Sequence, residues 1–194
     1  MMELNRLPVV FVSLFLLSVS SVCAQPQSTV KRIHETFLDA QNKNKYPAEV
    51  ITALSGEWLF DDALVTDVKS SDIRPKAPRL LGPRSTNNAN GFISTGFDIK
   101  GLTTIKVGFI GYKDDISDYF AVEVFVSKDG GKNWASLGIR RGDPTKEEET
   151  FAEYKIKNKK QEAYRVKIAN ASQPKSDRLS RINITEIQFE YEEQ

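Results

Sequence analysis

The stretch FAVEVFVSKDGGKNW, residues 120–134, decides the fold class. Phe120, Val122, Val124 and Val126 recur at every second position, and in an extended chain such residues share one face. The segment from Ser127 to Lys132 then supplies turn chemistry. Gly130 and Gly131 can adopt positive φ, and Asp129 can hydrogen-bond its own backbone. A strand running into a tight turn predicts a β-hairpin. The same period extends outward in both directions. Trp58, Phe60 and Leu64 share parity, as do Ile93, Phe97 and Ile99, with Ser94, Asp98 and Lys100 on the opposite, wet face. Ile105, Val107 and Phe109 follow, then Tyr154 with Ile156, and Tyr164 with Val166 and Ile168. The run over residues 182–191 changes parity between Ile184 and Ile187, which predicts a bulge inside one strand.

Turn signals separate these runs at Gly101, at Gly111 with Asp114 and Asp115, at Gly130, and from Gly142 to Pro144. Pro75, Pro78 and Pro83 mark a long loop over residues 74–90, because proline cannot donate to a ladder. Short alternating strands with one wet face predict an all-β protein, an antiparallel β-sandwich or jelly roll. No helical pattern lies between the strands, which argues against a doubly wound parallel sheet. GLTTIKVG, residues 101–108, lacks the lysine and hydroxyl that close a phosphate loop.

The amino-terminal 24 residues have the layout of a secretory signal peptide. Arg6 gives a positive start, an apolar stretch runs over residues 7–22, and Val22 and Ala24 stand at the minus-three and minus-one positions before Gln25. A lipid anchor on Cys23 is the alternative, with Val22 a poor residue before it. The apolar run is shorter than the ~20 residues of a spanning helix. Localisation is therefore expected to be secreted, periplasmic or cell-surface. Residues 25–45 read as an arm before a β domain over residues 46–194. Ser28 as a cap, with Val30, Ile33, Phe37 and Ala40 near helical spacing, predicts a short helix over residues 30–41.

Composition excludes several chemistries. Lys and Arg number 27 against 26 Asp and Glu, so the basic excess of a dedicated nucleic-acid binder is missing. One cysteine cannot form an internal disulfide, and one histidine cannot build a multi-histidine metal centre. That histidine, His34, lies in the arm, and no G-x-S-x-G elbow accompanies it.

Ser127 to Trp134 resembles the Asp-box hairpin, S-x-D-x-G-x-T-W, with Asn133 in the threonine position. The residues suit a turn: aspartate holds backbone amides, glycine supplies positive φ, and tryptophan anchors. Asp-boxes recur on sialidase propellers, but a propeller needs four or more blades of about 40 residues and several boxes, and this chain carries one. Asp61–Asp62, Asp114–Asp115 with Asp118, and residues 147–149 are acid clusters expected in solvated loops. The tripeptide Arg141-Gly142-Asp143 is read as chance. Asn170 and Asn183 head formal N-glycan acceptor triplets. Arg74, Lys76, Arg79 and Arg84, and Lys155, Lys157, Lys159 and Lys160, are expected on solvated faces.

The order of motifs carries a wider resemblance. SGEWLFDDAL (residues 55–64), GFISTGFD (91–98) with Gly101, the box ending at Trp134, YRVKI (164–168) and RINITEI (181–187) follow one another. Together, over residues 46–189, they resemble a β-sandwich module of secreted proteins from Bacteroidota-type bacteria. Such modules are often appended to extracellular nucleases and other surface enzymes, and their fold is similar to the galactose-binding-like jelly roll. The resemblance implies an accessory module without catalytic residues. Modules of this kind often close on R-I-N-I-D-D-I; here Thr185 and Glu186 replace the two acids. Asp62 and Glu186 are then the residues to test for metal, with structural calcium the only cofactor considered.

The function expected from these readings is a secreted, non-catalytic module that binds a glycan or other surface polymer. Sugar sites stack rings on aromatic side chains and bond hydroxyls with planar polar groups. Tyr112, Asp114, Asp115 and Tyr119 share one loop region and are the candidate ligand-binding residues. The alternative is a protein-interaction or structural scaffold without a small ligand, in which the arm docks a partner. A hydrolase would need two carboxyls converging in a pocket.

Overall fold

The computed structural model describes residues 29–67, 72–83, 90–115, 117–143, 148–158, 161–174 and 179–193. The expected signal peptide, Cys23, Arg84, Lys159 and Lys160 lie outside them. The described chain is all strand and loop. In order the strands are β1 (Thr29–Glu35), β2 (Glu49–Ala53), β3 (Gly56–Asp61), β4 (Ala63–Leu64), β5 (Arg79–Leu80), β6 (Phe92–Thr95) and β7 (Ile99–Lys100). There follow β8 (Leu102–Gly111), β9 (Ser117–Ser127), β10 (Ala135–Gly142), β11 (Thr150–Lys155), β12 (Ala163–Asn170), β13 (Gln173–Pro174) and β14 (Ile182–Glu193).

They form two antiparallel sheets packed as a sandwich. One runs β11-β8-β14-β5-β4, with β1 also on β14; the other runs β10-β9-β12-β6-β3-β2, with β13 on β9 and β7 on β12. The period-two residues meet between the sheets. Ile105, Val107, Phe109, Ile184 and Phe189 from one face Trp58, Phe60, Ile93, Val124 and Val166 from the other, all completely buried. The bulge in β14 falls where the parity change places it. Ile184 pairs with Phe109 and Glu186 with Gly108, leaving Thr185 as the extra residue. The bulge lets Ile184 and Ile187 both point into the core. At the open side, Tyr154 donates its hydroxyl to Gly138 O at 2.9 Å and ties β11 to β10. Among the described residues no helix is long and apolar enough to cross a membrane.

The helical arm is corrected by the structure. Residues 29–35 form β1, paired along its length with β14, from Thr29 opposite Glu193 to Glu35 opposite Ile187. A lone helix of about twelve residues is marginal in water. The β-branched Thr29, Val30 and Ile33 prefer the extended conformation that β14's open ladder offers. The chain then turns inward. Phe37, at φ 59°, is fully buried with its ring 5.1 Å from Trp58 and 5.8 Å from Phe60, both edge-on.

A polar relay holds this entry. Buried Glu35 accepts from Phe37 N at 2.5 Å and from Ser55 N and Oγ at 3.0 and 2.5 Å. Ser55 Oγ in turn accepts from Trp58 Nε1 at 3.0 Å. Glu35→Ala should cost about 3 kcal/mol, because two amides and a hydroxyl lose their acceptor in a dry site. Urea denaturation monitored by tryptophan fluorescence measures it. A loss below about 0.5 kcal/mol would show that the relay is ornamental.

Candidate functional site

Ladder registers place one row of residues across the outer face of the larger sheet. Phe125 stands opposite Lys167, Lys167 opposite Ser94, Ser94 opposite Leu59, and Leu59 opposite Val50. Directly paired residues share a face, so this row carries an aromatic, a cation and two aliphatic side chains on the side away from the core. Phe92, two positions from Ser94, faces the same way. Over the row lies a groove of about 530 Å³, lined also by Glu57, Arg165, Gly130, Gly131 and Trp134.

Trp134 reaches the groove because of the hairpin between β9 and β10. Asp129 organises it: Oδ1 accepts from Lys132 N at 3.1 Å, Asn133 N at 2.9 Å and Ser127 Oγ at 2.7 Å. Its Oδ2 accepts from Asn133 Nδ2 at 2.6 Å. Gly131, at φ +89°, leaves the space in which the indole lies; a Cβ there would sit 3.3 Å from the ring. The Asp-box reading as a turn therefore holds, with Asn133 filling the threonine position as both backbone and side-chain donor.

Lys167 sits at the centre. Its Nζ lies 4.6 Å from the Phe125 ring centroid, 4.8 Å from Trp134 and 5.5 Å from Phe92. Burial lowers its pKa, partly opposed by Glu123. Arg165 is tied to Asp98 at 2.9 Å. The groove thus offers an indole face, an ammonium, a guanidinium and the Glu57 carboxylate. Glu57 is its one carboxylate among the described residues, whereas glycoside hydrolysis uses two.

The loop quartet is placed differently from a sugar platform. Tyr112 is 5% exposed, with the Arg79 and Arg181 guanidinium carbons 4.6 and 3.9 Å from its ring centroid. Asp115 accepts from Arg181 N at 2.6 Å, Nε at 2.9 Å and Nη2 at 2.6 Å. Asp114 stays exposed, and Tyr119 is half-buried under the Arg141 guanidinium at 4.1 Å. The structure brings Tyr112 and Asp115 together around Arg181 and leaves Asp114 and Tyr119 at the surface.

The two metal candidates have separate partners. Asp62, at φ 46°, offers its carbonyl to Leu81 N at 2.9 Å. The nearby cation is the ammonium of buried Lys43, which donates to Lys45 O, to Tyr46 O at 3.2 Å and to Ala63 O at 2.7 Å. Burial lowers the Lys43 pKa, while Glu49, Asp61 and Asp62 pull it upward. Glu186 lies 2.9 Å from His34 Nε2 and accepts from Gln188 at 3.0 Å. Among the described residues no three His, Cys, Asp or Glu converge as metal ligands.

One surface expectation is corrected. Arg74 donates to Thr36 O at 2.7 Å and Thr185 O at 2.5 Å, Lys76 to Ala40 O, and Arg79 to Asp72. This basic cluster stitches loops together and is not a solvated face. Burial works against the Arg79 charge, but the bonds and charge of Asp72 outweigh it and raise the pKa. Asn170 and Asn183 are buried, their Nδ2 atoms donating to Leu80 O and Ser180 O, and to Asp72 Oδ1. A glycan attaches through that nitrogen, so both triplets are closed in the folded chain.

No family model matches the sequence, and no curated protein matches it. Among solved structures, the K2 cleaved adhesin domain of Lys-gingipain superposes with a TM-score of 0.52 at 14% identity, over 82% of this chain and 99% of that one. A structure of the mud crab tombus-like virus aligns at a TM-score of 0.20 and 9% identity, which carries no argument. The first likeness shows the fold, an all-β sandwich.

The Asp129 carboxyl is held well below the usual carboxylate range by Asn133 N and Nδ2, Ser127 and Lys132. Its stabilising share is present above the ordinary value of 3.8 and is lost as pH falls toward the folded value. Asp129→Asn should therefore flatten the fall of stability with pH below about 4, and an unchanged slope would remove Asp129 from that account. Lys43→Met should destabilise by about 3 kcal/mol by stranding three carbonyls. The parent's melting midpoint should be the same in calcium as in chelator; a calcium-dependent rise would instead return a metal to Asp62 or Glu186.

Proposed function

We propose that this chain is a secreted, non-catalytic module that holds a glycan or other surface polymer in the Trp134 groove. The observation that carries the reading is the outward row. Leu59, Phe92 and Phe125 are apolar on a face that should be wet, and a built hairpin lowers an indole over them. A pyranose presents an apolar C–H face that stacks on indole, and its hydroxyls suit planar polar groups such as Glu57 and Arg165. The likeness to an adhesin domain supports adhesion as the task. The galactose-binding-like assignment and a place beside a surface enzyme remain with the motif resemblance. Secretion rests on residues 1–24.

The chain has two tryptophans, and Trp58 is wholly buried. A polymer stacking on Trp134 should therefore change intrinsic fluorescence through that residue alone. Titration with a polysaccharide panel should show saturable change, and Trp134→Leu should abolish it and weaken affinity at least tenfold, about 1.4 kcal/mol. Tyr119→Ala should alter affinity less than threefold. Binding that survives Trp134→Leu would sink the groove. A panel with no response at all would shift the function to protein interaction.

A further inference from the structure

We infer that the groove selects acidic sugars, with the Lys167 ammonium receiving a carboxylate or sulfate substituent while Trp134 stacks the ring that bears it. This rests on the groove reading above and adds the ligand class.

Lys167 has no hydrogen bond or ion pair among the described residues, although it sits in the middle of a sheet lined with polar groups. Arg165, its neighbour on β12, is already neutralised by Asp98. Glu123 acts on the Lys167 charge without bonding it, and accepts from Ser136 Oγ at 2.6 Å. Glu57 lines the groove and makes no hydrogen bond to the ammonium. So the ammonium bonds no protein acceptor among the described residues, while three rings steady its charge.

That arrangement favours an anion for two reasons. Rings hold a cation by their quadrupole without using its hydrogen bonds. The ammonium is therefore positioned, and part of its dehydration is already met on folding, so an arriving anion orders little and desolvates less. The indole beside it, 4.8 Å from Nζ to centroid, distinguishes a sugar acid from an acidic peptide. A pyranose against this indole brings its acidic substituent beside an ammonium already held 4.8 Å from the ring centroid. A peptide carboxylate has no comparable face to stack.

The test uses the purified chain and four probes: polygalacturonate, its fully methyl-esterified form, dextran sulfate and poly-L-glutamate. Polygalacturonate or dextran sulfate should bind at least tenfold more tightly than the esterified polymer, and poly-L-glutamate at least tenfold more weakly than the better of the two. Which of them binds tells carboxylate from sulfate. Lys167→Met, which keeps an apolar stem over the rings, should remove the preference for acid while the melting midpoint holds. Lys167→Arg should restore most of it. Equal binding of poly-L-glutamate, no binding of either acidic polysaccharide, or a preference intact in Lys167→Met would each overturn the inference. If Lys167→Met changes nothing while Trp134→Leu abolishes binding, acid selection fails and the groove stands. If neither variant changes binding, the groove fails as well.

Discussion

Trp58 is the contact on which the sandwich depends. It lies on β3 in the larger sheet, yet its ring stacks on Phe189 of the smaller one at 6.3 Å and 15°. Phe37 and Phe97 close on it edge-first. A wholly buried indole needs a partner for its N–H, and Ser55 supplies one. Ser55 is held by Glu35, and Glu35 ends the strand that begins the described chain. The core thus fixes where the amino-terminal segment must go. With β1 on β14 and Phe37 against Trp58, the first described residues are part of the packing that joins the two sheets.

The opposite demand, closing loops without disulfides, is met by buried charge. Arg79–Asp72 and Arg181–Asp115 both flank Tyr112, and Asn183 joins Asp72. Lys43 gathers three carbonyls from two segments. Buried ions stabilise only when their hydrogen bonds are complete, and these are. They also specify: a loop that must deliver a carbonyl to one ammonium has few alternative paths. Arg74, Lys76 and Arg79, which look like surface charge in the sequence, fasten loops together, while Lys155 and Lys157 stay exposed.

Alternation made most of the sandwich legible. Phe120 to Val126, Ile105 to Phe109 and Tyr164 to Ile168 lie where their parity puts them, and even the β14 bulge was written in the shift between Ile184 and Ile187. The arm was not legible, because Val30, Ile33 and Phe37 satisfy helical spacing and only the distant β14 decides otherwise. The loop quartet misled for a related reason. A tyrosine beside acids suggests a sugar platform, but Arg181, 66 residues from Asp115, turns it into an internal ion pair. Long-range partners are not visible in a local window.

The groove had a signal that local patterning does contain. Leu59 lies between Trp58 and Phe60, Phe92 beside Ile93, and Phe125 between Val124 and Val126. Each is an apolar residue at the parity that should be polar. One such exception is ordinary, since single exposed apolar side chains are common on surfaces. Three on neighbouring strands of one sheet are not independent once register aligns them, because they make a continuous patch. The hairpin then gains meaning. Asp129, Ser127 and Asn133 bond one another within the turn, and Lys128 ties it to Glu162, so its shape needs no ligand. A turn that is rigid when empty holds Trp134 over the patch in advance, and preorganisation of that kind raises affinity by lowering what binding must order. The same residues that read as mere turn chemistry are thereby what makes the outer face a site.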